Sequence, residues 1–202
     1  MRIFVPCAAN RRAGQTPPFE SRFSTKCESR SKLETIISLS AGRSRMETPL
    51  TPLEFARRAR KIHGAREAVV DGPLRFTYAR FFDRCDAWSA ALASLGVGKG
   101  DRVATVAPNT HQHLEQFYAI PQRGAVIVPM NYRLAADDFV YMANHSGASV
   151  FCVHADYLAL IDGVRSRMPG VRHFVALEGG HPGWLHYETL LAAHLGAAVL
   201  DG

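Results

Sequence analysis

Between Gly96 and Leu134 the chain sets two short apolar runs around one longer amphipathic stretch. Arg102 to Ala107 alternates into a run rich in Val and Ala, and Ala125 to Pro129 is a second such run; both read as strands of a sheet core. Between them, Pro108-Asn109-Thr110 offers a strand-to-helix turn with Thr110 or Asn109 as N-cap, and Gly124 closes the helix. Gly96 falls where the preceding helix needs a left-handed cap, and Gly98 and Gly100 suit a tight turn into the first strand. Two strands joined through a helix within 28 residues predict a right-handed βαβ unit and a parallel pair.

The flanks extend the pattern. Thr51 as N-cap, Pro52 at the first helical position and Glu54 as reciprocal partner predict a short amphipathic helix ended by Gly64. Glu67 to Asp71 and Leu74 to Tyr78, around Gly72-Pro73, predict an antiparallel hairpin. Thr77 then caps a long helix, Tyr78 to Leu95, whose apolar positions recur at intervals of three and four. Downstream, the pattern predicts a helix over Ala136 to His145 ended by Gly147, and a strand over Ser149 to Val153. A helix capped by Asp156 and running to about Arg167 follows, then a strand over Val171 to Leu177 and a last short helix over Tyr187 to Leu195. The expected class is α/β: a partial doubly wound parallel sheet with covering helices and a small N-terminal hairpin.

Composition narrows the picture. With 202 residues and 47% hydrophobic side chains, one sizeable core is the expectation. Residues 1–45 hold nine of the 24 basic side chains and three of the 18 acidic ones, so residues 46–202 hold 15 of each and are neutral. The charge of +6 thus belongs to the leader and gives the folded part no nucleic-acid face. Residues 1–45 read as a basic disordered leader; a mitochondrial transit peptide is opposed by Glu20, Glu28 and Glu34, and translation from Met46 is the favoured third reading. Cys7, Cys27, Cys85 and Cys152 show no C-x-x-C spacing, which suits free thiols in the cytoplasm, and no apolar run is long enough for a membrane span.

Candidate chemistry is sparse. The turn Gly96 to Gly100 leaves a helix and opens a strand, the reverse of a phosphate-binding glycine turn, and Lys99 lacks the following Ser or Thr of a phosphate-loop lysine. His111 and His113 are two apart on a helix start and point about 200° apart, too far round to share a metal; His181 and His186 flank a loop and Trp184. All four read as solvated histidines. Adjacent Asp137 and Asp138 suit helix capping better than paired acid-base work. There is no G-x-S-x-G elbow, and no lysine follows Lys99. No catalytic, cofactor-binding or metal-binding residue is therefore assigned. For a catalytically competent α/β enzyme with an unrecognised site, the discriminator is a concave pocket holding several of His111, His113, Asp137 and Arg133.

Thr77-Tyr78, Leu95-Gly96, Gly100-Asp101-Arg102-Val103, Pro108-Asn109, Gly124-Ala125, Pro129, Asn131, Arg133-Leu134 and Ser146-Gly147-Ala148 follow one another in an order that resembles the N-terminal region of AMP-forming acyl-CoA synthetases. The likeness runs over about residues 48–195. It implies ATP-dependent activation of a fatty or aromatic acid to an acyl-adenylate, then transfer to coenzyme A, with magnesium on the triphosphate. The family's Ser/Thr/Gly-rich phosphate loop ending Pro-Lys-Gly, its ribose-binding acidic residue and its C-terminal lysine have no matching positions here. The resemblance thus implies a truncated N-terminal subdomain over residues 46–202, inactive alone, with self-association through uncovered sheet surface. The alternative is a non-enzymatic α/β binding or interaction module.

Overall fold

The computed structural model describes residues 51–196; the leader over residues 1–45 and the start at Met46 lie outside the described residues. Helix α1 (Pro52–His63) precedes a hairpin of β1 (Glu67–Asp71) and β2 (Leu74–Thr77), and α2 (Tyr78–Ser94) leads into the sheet. There follow β3 (Arg102–Val106), α3 (His111–Gln122), β4 (Val126–Met130), α4 (Ala136–Ser146), β5 (Val150–Val153), α5 (Leu158–Asp162), β6 (His173–Ala176), β7 (Leu185–His186) and α6 (Tyr187–Ala193).

Strands β1 and β2 pair antiparallel, and the other five form a parallel sheet in the order β4-β3-β5-β6-β7. The chain enters at β3, crosses to β4 on one side and returns to β5 on the other, which is the reversal of a doubly wound sheet. Alternate residues of β5 serve two separate cores. Val150 and Cys152 face the layer of α2, α3 and α6, while Phe151 and Val153 face that of α4 and α5. Burial on both faces is why β3 and β5 read as continuous apolar runs.

Three threonines start helices as expected. Thr51, Thr77 and Thr110 accept at Oγ1 from the amides of Glu54, Arg80 and His113 at 3.4, 3.3 and 3.3 Å. Such caps contribute about 1 kcal/mol each. The reciprocal half at Glu54 differs from expectation, since its carboxylate pairs with Arg57. At the other end of α4, Gly147 takes φ +65°, and a Cβ there would stand 2.7 Å from Arg102 Nη2, whose guanidinium donates to the Ser146 and Gly147 carbonyls. Glycine is required both for the left-handed turn and for that approach.

Two expectations need correction. The helix expected from Asp156 to Arg167 is broken into a 3-10 turn (Ala155–Tyr157), α5 and a second 3-10 turn (Arg165–Arg167). His154 provides the cap, its Nδ1 accepting from the Asp156 amide at 3.3 Å; Gly163 ends α5, and Val164 at φ −119° leaves the helical region. The loop beyond β6 also contains β7, a parallel pairing of only two residues that no periodicity can signal. Among the described residues, no helix is long and apolar enough to cross a membrane.

Candidate functional site

In a doubly wound sheet, ligands meet the carboxyl ends of the strands, and the residues following β3, β6 and β7 converge there. The first of these is a histidine held by a carboxylate. Asp71, the last residue of β1, accepts at Oδ2 from the His111 backbone amide at 3.0 Å and pairs with its Nδ1 at 2.7 Å. His111 is buried, with its ring 5.2 Å from that of Phe76. The reading of His111 as a solvated surface residue is corrected: the hairpin folds over the start of α3, a contact between residues 40 apart. His113 points elsewhere, with Nδ1 3.4 Å from Thr105 Oγ1 and its ring edge-on to Phe117, and burial lowers its pKa.

The two bonds from His111 hold the Asp71 carboxyl below its ordinary 3.8. A depressed carboxylate contributes stability that is present above the unfolded value and is lost as pH falls through the folded one. Asp71→Asn is therefore expected to lower the urea midpoint by more at about pH 6 than at about pH 3, below the ordinary carboxylate value, where the contribution of the ionised contact has begun to be lost. Equal loss at both values would exclude the ionised contact as the cause.

Deeper in the same region lies a buried polar network. Arg84 of α2 donates from Nε to Glu115 Oε1 at 2.5 Å and from Nη2 to Oε2 at 3.3 Å. Its outer edge makes two bonds to Glu188 at 2.6 and 3.0 Å, and Tyr187 donates its hydroxyl to Glu115 Oε2. Glu115 is fully buried, and desolvation raises its pKa against the opposing pull of Arg84 and Tyr187. Burial likewise raises Tyr187, while the two carboxylates raise Arg84 despite its own burial. The sequence gives no hint of this convergence, because Arg84 is 31 positions from Glu115 and 104 from Glu188. None of the candidates read from the sequence belongs to this polar cluster, which the fold assembles from α2, α3 and α6.

Above the network runs an open groove of about 660 Å³, walled by Leu74, Phe76, His111, Gln112, Glu178 and His186 among others. A smaller cleft of about 240 Å³ brings His111 and His113 together with Asp71 and Thr110. Neither includes Arg133 or Asp137. Arg133 stacks over Tyr132, Asp137 pairs with Arg167, and Asp138 caps α4 by accepting from the Ala135 amide at 3.1 Å. His181 lies 3.3 Å from Asp162, whose carboxylate also accepts from Trp184 Nε1. The central glycines are structural: Gly96 and Gly100 have φ of +76° and +80°, and the Asp101 carboxylate ties back to the Gly98 amide at 2.8 Å. No group of three or more His, Cys, Asp or Glu among the described residues is placed to hold a metal ion.

Residues 55–187 match the family described as AMP-binding enzyme, well over half of the chain. The chain belongs to that family. A long-chain-fatty-acid–CoA ligase of Thermus thermophilus is 36% identical over 151 residues, which is 72% of this chain and 28% of the relative. The chain also superposes on the inhibitor-bound N-terminal domain of FACL13 from Mycobacterium tuberculosis, with TM-score 0.62, 28% identity and coverage of 73% of this chain and 36% of that one. An anthranilate CoA ligase in complex with anthranoyl-AMP gives TM-score 0.69 at 21% identity, covering 76% and 29%, and shares the fold. The chain thus spans between about a quarter and about a third of these relatives.

The start of α3 and the groove beside it do not fit a nucleoside triphosphate. The start of α3, which follows β3 where a doubly wound sheet offers helix N–H groups to an anion, already carries the Asp71 carboxylate. Glu178 and Glu188 line the groove beside it, and its guanidinium, Arg84, is engaged by Glu115 and Glu188.

Proposed function

We propose that this AMP-binding chain is the sheet-bearing scaffold of an AMP-forming acyl-CoA ligase, and that its 202 residues alone do not catalyse the reaction. In the complete reaction ATP and a carboxylic acid give an acyl-adenylate and pyrophosphate, and coenzyme A then takes the acyl group, with magnesium balancing the triphosphate. The relatives named for long-chain fatty acids and anthranilate support fatty and aromatic acids as the substrate class. The observation that carries the reading of inactivity is the self-neutralised start of α3, where Asp71 occupies the position of an anionic ligand. The absence of any lysine after Lys99 and of any Pro-Lys-Gly run in these residues supports it.

Half-exposed Val126 on the edge strand β4, with Leu114 and Phe117 on α3, supplies apolar surface for self-association. Cys85 and Cys152, both buried and unpaired, suit a reducing compartment such as the cytoplasm. Purified chain with ATP, magnesium, coenzyme A and a panel of fatty and benzoic acids is expected to release no pyrophosphate above the protein-free blank. Turnover dependent on the acid would overturn the reading of inactivity.

A further inference from the structure

One side of α1 is held by α2 and the core, and the other carries an apolar pair that the fold leaves in solvent. On the inner side Ala56 and Ala59 pack against the core, Arg60 bonds to Asp83 and Asp86, and the His63 ring meets that of Tyr78. On the outer side Phe55 and Ile62 are 64% and 58% exposed. At about 3.6 residues per turn, positions seven apart lie within about 20° of each other, so the two side chains form one stripe along the helix. Nothing in the packing of α1 requires large apolar residues there.

The charge beside the stripe is unbalanced. Arg58 and Lys61 on the outer side, and Arg66 just beyond the helix, are exposed and make no ion pair among the described residues. Residues 46–66 hold five basic and two acidic side chains, whereas residues 67–202 hold ten and 13, so the positive excess stops just past α1. Apolar side chains flanked by unpaired cations on one helix face match the boundary of an anionic bilayer. There the apolar groups enter the acyl region and the cations meet phosphate. Nucleic acid offers phosphate without an apolar phase, and an isoleucine cannot stack on a base. An apolar protein groove leaves the cations unmatched. The 12 residues of α1 are too short to cross a bilayer, so the helix lies in the plane of its surface.

We propose that the outer face of α1 docks the chain on an anionic lipid surface, with Phe55 and Ile62 in the acyl boundary and Arg58 and Lys61 on headgroup phosphates. This docking is independent of the ligase reading, because it requires neither ATP nor acyl transfer.

The test is co-sedimentation of the full chain with vesicles of phosphatidylglycerol and phosphatidylcholine in equal parts, set against vesicles of phosphatidylcholine alone. The chain is expected to bind the anionic vesicles about tenfold more tightly or better. It is also expected to be released as salt is raised towards about 1 M, a readout that needs no variant. Phe55→Ser/Ile62→Ser and Arg58→Gln/Lys61→Gln change exposed positions only, and each pair is expected to lower the partition coefficient about tenfold while tryptophan emission reports a folded chain. Equal binding to both kinds of vesicle, binding indifferent to salt, or tighter binding to duplex DNA than to anionic vesicles at the same salt would each overturn the proposal. So would binding unchanged in either double variant, which would assign the lipid contact to the basic residues 1–45 instead.

Discussion

Arg84→Met is expected to destabilise the domain by about 3–5 kcal/mol, the cost of stranding a buried charge. Glu115 is fully buried, and among the described residues Arg84 is the only cation bonded to it. With the guanidinium gone, only the Tyr187 hydroxyl remains on that carboxylate among the described residues, and Glu188 loses both of its bonds to Arg84. Desolvation already raises the Glu115 pKa, and removal of Arg84 raises it further. A carboxyl whose folded pKa exceeds its unfolded value makes stability fall as pH rises between the two. The loss in Arg84→Met is therefore expected to be larger at about pH 7 than at about pH 4.5, where Glu115 accepts a proton at little cost. Replacing both partners, in Arg84→Met/Glu115→Leu, is expected to recover most of the stability, short by the roughly 1–3 kcal/mol of an orphaned Tyr187 hydroxyl. Urea unfolding of the single and double variants checks this. Equal losses in the two would mean that the packing of the Arg84 stem, and not the stranded charge, sets the cost.

The network's position explains why it was illegible. Along α2, Arg84 sits beside Asp83 and Asp86 in what looks like a solvent-facing charged stretch, and Glu115 occupies a polar position of α3. Their burial comes from the hairpin and α6 closing over them, contacts that span up to 104 residues. The same holds for His111, which a local reading leaves in solvent and the Asp71 carboxylate of β1 draws in. Features fixed within a few residues behaved differently. The threonine caps, the left-handed glycines at 96, 100, 124 and 147, and the buried strands were readable because each follows from backbone sterics or local periodicity. The short β7 and the broken segment around α5 fell between these cases: two residues and five residues carry too little period to distinguish strand, 3-10 turn and helix.

Family membership was legible for the same reason as the strands. Its marks are the turns and caps that punctuate the sheet, and turn chemistry is local. The groove was not, because it draws its walls from the hairpin, the start of α3 and the segments around β6 and β7 at once. Local sequence thus reports the scaffold, while the polar cluster is a property of how the hairpin and α6 seat on it.

Trp88→Ala is expected to cost about 3–5 kcal/mol and to act on this same seating. Trp88 is fully buried on α2, with its ring centroid 4.6 Å from that of Tyr187, and its Nε1 donates to Gln116 Oε1 at 2.9 Å. Truncation removes the ring against which α6 packs and leaves Gln116, whose Nε2 is already without a partner among the described residues, with no bond to them at either end. Trp88→Phe separates the two effects. It keeps an aromatic contact to Tyr187 and loses the indole donor, so the expected loss is smaller, about 1–3 kcal/mol. The chain has two tryptophans, and Trp184 lies in the core on the opposite face of the sheet, so its emission reports global unfolding in either variant. Trp88 and Arg84 both bear on Tyr187, the first through its ring and the second through Glu115. Trp88→Ala and Arg84→Met should therefore be non-additive, with an interaction of about 0.5–3 kcal/mol. Strict additivity in that cycle would mean that the apolar layer and the buried ion pair hold α6 independently.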